Sequence, residues 1–277
     1  MIIKTLFRTI KSSFGRFAAI LCIVALGVGV YTGLRSSEPS LRLAGSKYIE
    51  EQEMYDARLL STLGITEKDV EWFSKRPYTE AAAGGYTTFI YAGKEGTPGE
   101  EIYQIFSLNG KLDLPEITVG RMPGNGGECL GDVQAFSEAD IGKTITVGGS
   151  NDDDTKDLFR IKSFKLTGLC RIPRYISFDR DSTDLGSGTS RGFILIPESA
   201  FDSEVYHELL LKLDIPGELY SEEYSSGYEK LEKTLKKDIS VRATMRYWDL
   251  FNEANGELKD ARKELSMHRP LRISECC

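Results

Sequence analysis

An uncharged run of 18 residues, Phe17–Leu34 (FAAILCIVALGVGVYTGL), stands between Arg16 and Arg35 and constrains this chain more than any other feature. As an α-helix it spans roughly 27 Å at 1.5 Å per residue, close to the ~30 Å of a bilayer's hydrocarbon core. Nothing else in the 277 residues approaches that length without a charge. A cleaved signal peptide is the rival reading, with Gly27 and Gly29 as the small residues of a cleavage site. The length of the apolar region, and its uncharged continuation through Tyr31, Thr32 and Leu34, favour a retained membrane helix.

Charge sets its orientation. Residues 1–35 hold five basic residues and no acidic one, so the remainder carries 30 basic against 42 acidic residues, or −12. The positive-inside rule then places the amino terminus in the cytoplasm and everything after Arg35 outside. Ile3, Leu6, Phe7, Ile10, Phe14 and Phe17 recur at helical spacing, which predicts an amphipathic helix over residues 1–16 on the inner leaflet. Its Lys4, Arg8, Lys11 and Arg16 are candidate contacts to that leaflet or to a cytoplasmic partner. Gly29 and Gly33 form a GxxxG pair that lets a second membrane helix approach closely, although glycine is also common in spans for no such reason. A hydrophobic content of 40% with mean hydropathy −0.27 excludes a bundle of membrane helices and wholesale disorder. An acidic body excludes a nucleic-acid partner, which needs a basic face.

The extracytoplasmic part, residues 36–246, reads as α+β. Ala57–Leu63 suits a strand, and Thr66 with Asp69 at N3 forms a capping box for a helix over Glu67–Lys75. Between about residues 80 and 200 a β-rich insertion is expected, with strands at Tyr86–Tyr91, Ile102–Leu108, Ile145–Val147, Phe159–Leu169 and Gly192–Ile196. Glu208–Leu213 returns to an apolar strand, and Tyr228, Leu231, Leu235 and Ile239 mark a helix that packs beside the first strand–helix unit. From residue 247 onward a heptad seam of Tyr247, Phe251, Ala254, Leu258, Ala261 and Leu265 reads as the start of a coiled coil, or as one terminal helix packed on the domain. Residues 267–277 share neither its period nor its composition.

Catalytic constellations are scarce. His207 and His268 are the two histidines, and no GxSxG, HExxH, CxxC or Walker A pattern occurs. Asn151–Asp157 has Lys where a calcium loop needs Gly and Glu, so it reads as a solvated turn, as does the Asp179, Asp181, Asp184 loop. Cys129 and Cys170 could pair only if their Cα atoms come within about 7 Å. The chain is expected to be neither an enzyme nor a metal protein.

Several segments resemble FtsX-like, MacB-type ABC-transporter permeases in an order that matches theirs. The stretch Ile10–Phe17 followed by AAILCIVALGVGV is similar to their first membrane segment. Tyr55–Gly64 (YDARLLSTLG) is similar to their first extracytoplasmic strand, and Val119–Pro123 with Glu128–Leu130 resembles a "G-R-x-P…N-E" element. Ile141–Ile145, Phe164–Leu169 and Gly192–Phe201 (GFILIPESAF) resemble the strands that follow. The resemblance covers roughly residues 8–266. It implies a MacB-like domain with a porter-like βαβ part and a β-rich insertion, no cofactor in this chain, and ATP bound by a separate cytoplasmic ABC ATPase subunit. Implied partners are the bilayer, that ATPase, and the remaining permease helices or a second permease copy. Such permeases commonly have three further membrane helices after the domain, so this chain reads as an amino-terminal part of one. The alternative is a singly anchored extracytoplasmic binding protein.

Overall fold

The computed structural model describes residues 14–267, with side chains as far as 264. The leaflet helix at residues 1–13, with Lys4, Arg8 and Lys11, lies outside the described residues, as do His268 and the tail. Helix α1 runs over Phe14–Glu51, 38 residues, with none of its side chains buried. It continues 16 residues beyond Arg35, so the expected boundary at 35/36 falls inside one helix. Pro39 does not stop it. Just ahead of that proline, the Ser36 and Ser37 hydroxyls donate to the Gly33 carbonyl at 3.0 and 2.8 Å, the back-bonding that short polar side chains make within helices.

A small sheet follows. Strand β1 (Ala57–Ile65) leads into α2 (Glu67–Ser74) and then β2 (Thr79–Gly85). Strand β10 (Tyr206–Leu213) lies between β1 and β2, antiparallel to both. The unit is thus a βαβ crossover split by a late strand. β10 alternates with the two-residue period of a strand. Leu209, Leu211 and Leu213 pack with Val70 and Phe73 of α2 and with Leu235, while Leu210 joins Ala83 and Leu112 on the opposite face. The Thr66–Asp69 capping box is present as expected.

Between β2 and β10 the chain builds a seven-stranded sheet from β3 (Thr87–Lys94), β4 (Glu100–Leu108), β5 (Glu116–Gly120), β6 (Glu128–Asp132), β7 (Thr144–Val147), β8 (Ser163–Arg171) and β9 (Gly192–Pro197). The order is β5-β8-β6-β9-β4-β3-β7, and β7 also pairs with β8. Six strands therefore close into a barrel with β5 outside it, which removes most free edges. Its largest core contains Ile90, Tyr103, Ile105, Phe164, Leu166, Ile194 and Ile196. Phe193 and Leu195, one residue out of phase, belong to a second cluster with Phe106, Leu130 and Cys170.

Helix α3 (Asp153–Asp157) sits in the acidic segment expected as a turn, capped by Asp152, whose carboxylate accepts from Thr155 N at 2.7 Å. The expected strand at Phe159–Leu169 starts later, at Ser163. Finally α4 runs unbroken over Glu222–Met267 for 46 residues. The expected boundary at 246/247 falls inside it, because the 228–239 stripe and the 247–265 seam are two faces of one helix.

Candidate functional site: a buried junction at the end of α1

The end of α1 is tied to both sheets. Its Gln52 and Glu53 carbonyls accept from Leu114 N and Asp113 N at 2.8 and 2.9 Å. Glu53 (φ +48°) and Asp113 (φ +57°) are both in the left-handed region, so two non-glycine residues face each other in a conformation that costs on the order of 1 kcal/mol or more each. Glu53 also pairs with Lys212 of β10.

Asp113 leads inward to Arg174. The Arg174 guanidinium donates from Nε to Asp113 Oδ2 at 2.6 Å and from Nη2 to Glu208 Oε1 at 3.1 Å. Arg58 of β1 closes the chain, its Nε 2.5 Å from Glu208 Oε2. Arg174 is 6% exposed and Glu208 2%. The Arg174 cation also lies 4.2 Å from the Phe106 ring and 5.2 Å from that of Tyr55. Two guanidiniums thus face two carboxylates. Burial pushes the Asp113 carboxyl up, against the pull of Arg174. Burial also opposes the charge on Arg174, but Asp113 and Glu208 hold its pKa above the ordinary value. Paired charges at this depth are costly to separate, because each partner left alone is an uncompensated buried ion. The cluster joins β1, β10, the 109–115 loop and the segment after β8.

Helix α4 is fastened to the same small sheet by three further contacts. Tyr224 donates to Asp56 Oδ1 at 2.6 Å, Tyr78 donates to Asp238 Oδ2 at 2.6 Å, and Arg242 Nε donates to Asp69 Oδ1 at 2.5 Å. Asp69 therefore serves the α2 cap with one oxygen and α4 with the other.

The "G-R-x-P…N-E" residues close the loop between β5 and β6. Arg121 forks onto Glu128 at 2.7 and 2.8 Å, and Gly124 N donates to Glu128 Oε2 at 2.7 Å. The Arg121 guanidinium and that amide hold the Glu128 carboxyl at about 2.

The structure does not bring the sequence-predicted site residues together. Arg16, Gly29 and Gly33 are exposed on α1, and a Cβ on either glycine would meet nothing within 4 Å. On α4, Tyr247, Phe251 and Leu258 are about half exposed, and Ala254 and Ala261 are exposed. The rings of Tyr247, Trp248 and Phe251 touch one another. The Leu265 side chain lies outside the described residues. Cys129 and Cys170 are buried free thiols on β6 and β8, out of register with one another, since Cys129 faces Leu166 and Cys170 faces Asp132. His207 holds the Thr87 backbone through Nδ1. The junction residues went unnoticed in the sequence. One signal for them was present: Glu208 is a carboxylate directly before the apolar run Leu209–Leu211 of β10, where a buried charge demands a partner.

No family model matches the chain, and no curated protein matches it. Among solved structures it is similar to the extracellular domain of the noncanonical ABC-type transporter YknZ from Gram-positive bacteria, with TM-score 0.36 and 11% identity over 60% of this chain and 80% of that one. It is similar to the periplasmic region of MacB from Actinobacillus actinomycetemcomitans, with TM-score 0.36 and 10% identity over 65% and 75% of the two chains. A permease-protein domain from Porphyromonas gingivalis also matches, with TM-score 0.31 and 12% identity over 51% and 58%.

Proposed function

We propose that this chain forms the first membrane helix and extracytoplasmic domain of an FtsX/MacB-type ABC-transporter permease, and that it passes movement between the membrane and that domain. The observation that carries this reading is the continuity of α1. One helix runs from the apolar segment to Glu51 without a break, and its end is bonded to residues that touch both sheets. A helix resists bending far better than a loop, so displacement at the membrane end reaches the junction. In this reading Arg16 and the basic residues before it face the inner leaflet or a separate ATPase subunit. Gly29 and Gly33 face another permease helix, and ATP is bound by the ATPase alone. The chain itself carries no catalytic role and no cofactor.

Single-cysteine labelling of the full chain in sealed vesicles, with the native cysteines replaced by serine, tests the topology. A cysteine at Lys47 should react with a membrane-impermeant maleimide from outside, and one at Lys4 only after permeabilisation. Reaction of both from the same side would overturn the reading. Spin labels at Lys47 and Thr146, and at Lys47 and Lys68, test the coupling. Each pair should give a narrow distance distribution that broadens in Arg174→Met.

A further inference from the structure

Among the described residues, strand β1 is an edge of the small sheet, paired with β10 alone. Its outer half is the least covered part of that sheet. Leu60 is 66% exposed and Leu63 46%. Between the pairs Leu60↔Glu208 and Ile65↔Tyr206, four residues of β1 stand against the single His207, so β1 bulges away from β10 over residues 61–64. The bulge interrupts that stretch, but Ala57–Leu60 keep their regular ladder to β10, and the other edge of those four residues is the template for another extended chain.

Beside that edge, a cavity of about 120 Å³ opens between β1 and α4. Its walls are almost entirely apolar, with Leu59, Leu63, Phe73, Leu209 and Ile239 among them. Two arginines of α4 reach it. Arg242 is committed to Asp69. Arg246 is different: its Nε is buried and has no hydrogen-bond partner among the described residues. The cavity therefore offers room for one branched apolar side chain and a cation with a donor to spare.

We propose that this cavity and the β1 edge bind an extended peptide segment of a partner protein. One apolar side chain fills the cavity and an adjacent carboxylate lies on Arg246. The charge favours an acid, because Asp69 already neutralises Arg242 and leaves Arg246 uncompensated. The free backbone edge of β1 favours a peptide over a simple apolar acid, since only a peptide supplies amides to pair with it. No part of this argument depends on the permease reading.

The probe is acetyl-Thr-Val-Leu with a free terminal carboxylate, titrated by calorimetry into the full chain in phosphatidylcholine nanodiscs. Saturable binding is expected, weakened about tenfold or more when the carboxylate is replaced by an amide or in Arg246→Gln. Ala243→Phe, which narrows the cavity and keeps Arg246, should abolish binding while leaving the far-UV circular dichroism melt in place. Heptanoate, which has the carboxylate and the apolar chain but no amides, should bind weakly. Equal affinity of acid and amide, binding unaffected by Ala243→Phe, heptanoate matching the peptide, or no saturable heat up to about 1 mM peptide would each overturn the proposal.

Discussion

Arg174 ties together Asp113, Glu208 and the rings of Phe106 and Tyr55. Replacing it with methionine keeps much of its stem packing but strands Asp113 without its cation, while Glu208 keeps Arg58. The expected loss is about 3–5 kcal/mol, read as a lower urea midpoint, with Glu208→Gln showing a smaller loss because Asp113 keeps its partner. Glu128 offers a test by pH. Its folded-state value, about 2, lies below the ordinary 4.5 because Arg121 and the Gly124 amide hold the charged form. A depressed carboxyl contributes stability that is complete above 4.5 and lost as pH falls toward 2. Carbon-detected titration should therefore place Glu128 near 2 in the wild type and higher in Arg121→Gln, though still below its ordinary value because the Gly124 amide remains. Residues of this kind are nearly invisible in a sequence. Arg121 and Glu128 stood out only through the family resemblance of their segment, whereas Asp113 and Arg174 are 61 residues apart and meet only because β8 returns beside the 109–115 loop.

Elements were legible in proportion to how much of their own environment they encode. The α2 helix, with its cap, its apolar face and Pro77 beyond it, was readable to within a residue or two at either end. Strands β3, β4, β7 and β9 were visible as short apolar runs. β2 was not, since TEAAAGG has no strand-forming residues beyond Thr79. Its small residues are demanded from across the sheet: a Cβ on Gly84 would lie 2.4 Å from the Tyr206 ring. The same holds for Gly131 in β6, where a Cβ would meet Phe136 at 2.5 Å. Local propensity gives way there to packing that only the folded sheet supplies. Gly84→Val, which raises strand propensity, should therefore destabilise rather than stabilise, by roughly 1–3 kcal/mol, measured by denaturant unfolding. On α4, Tyr224→Phe should cost about 1.5–3 kcal/mol, because the Asp56 carboxylate loses a donor. Hydrogen exchange should then rise in the first turns of α4, leaving the Arg242–Asp69 end protected.

At the scale of the molecule, the chain is a helical rod, apolar over its first half, whose end is bonded to an acidic body at Asp113 and Leu114. Leu211, wholly buried at the centre of the small sheet, is expected to cost about 2–5 kcal/mol on replacement by alanine, seen as a lowered melting temperature. The position of β10 in the sheet also fixes an order of events during synthesis. β1 and β2 leave the ribosome early, yet neither can pair with the other, because the strand that belongs between them is not made until residues 206–213. The barrel's strands all lie within 87–197, and its core takes in Ala200 and Phe201 just beyond them, so the barrel is complete before β10 is made. A chain released after residue 202 should thus resist protease across the barrel and be cut between residues 57 and 85. The half of the domain nearest the rod is the last to become solid.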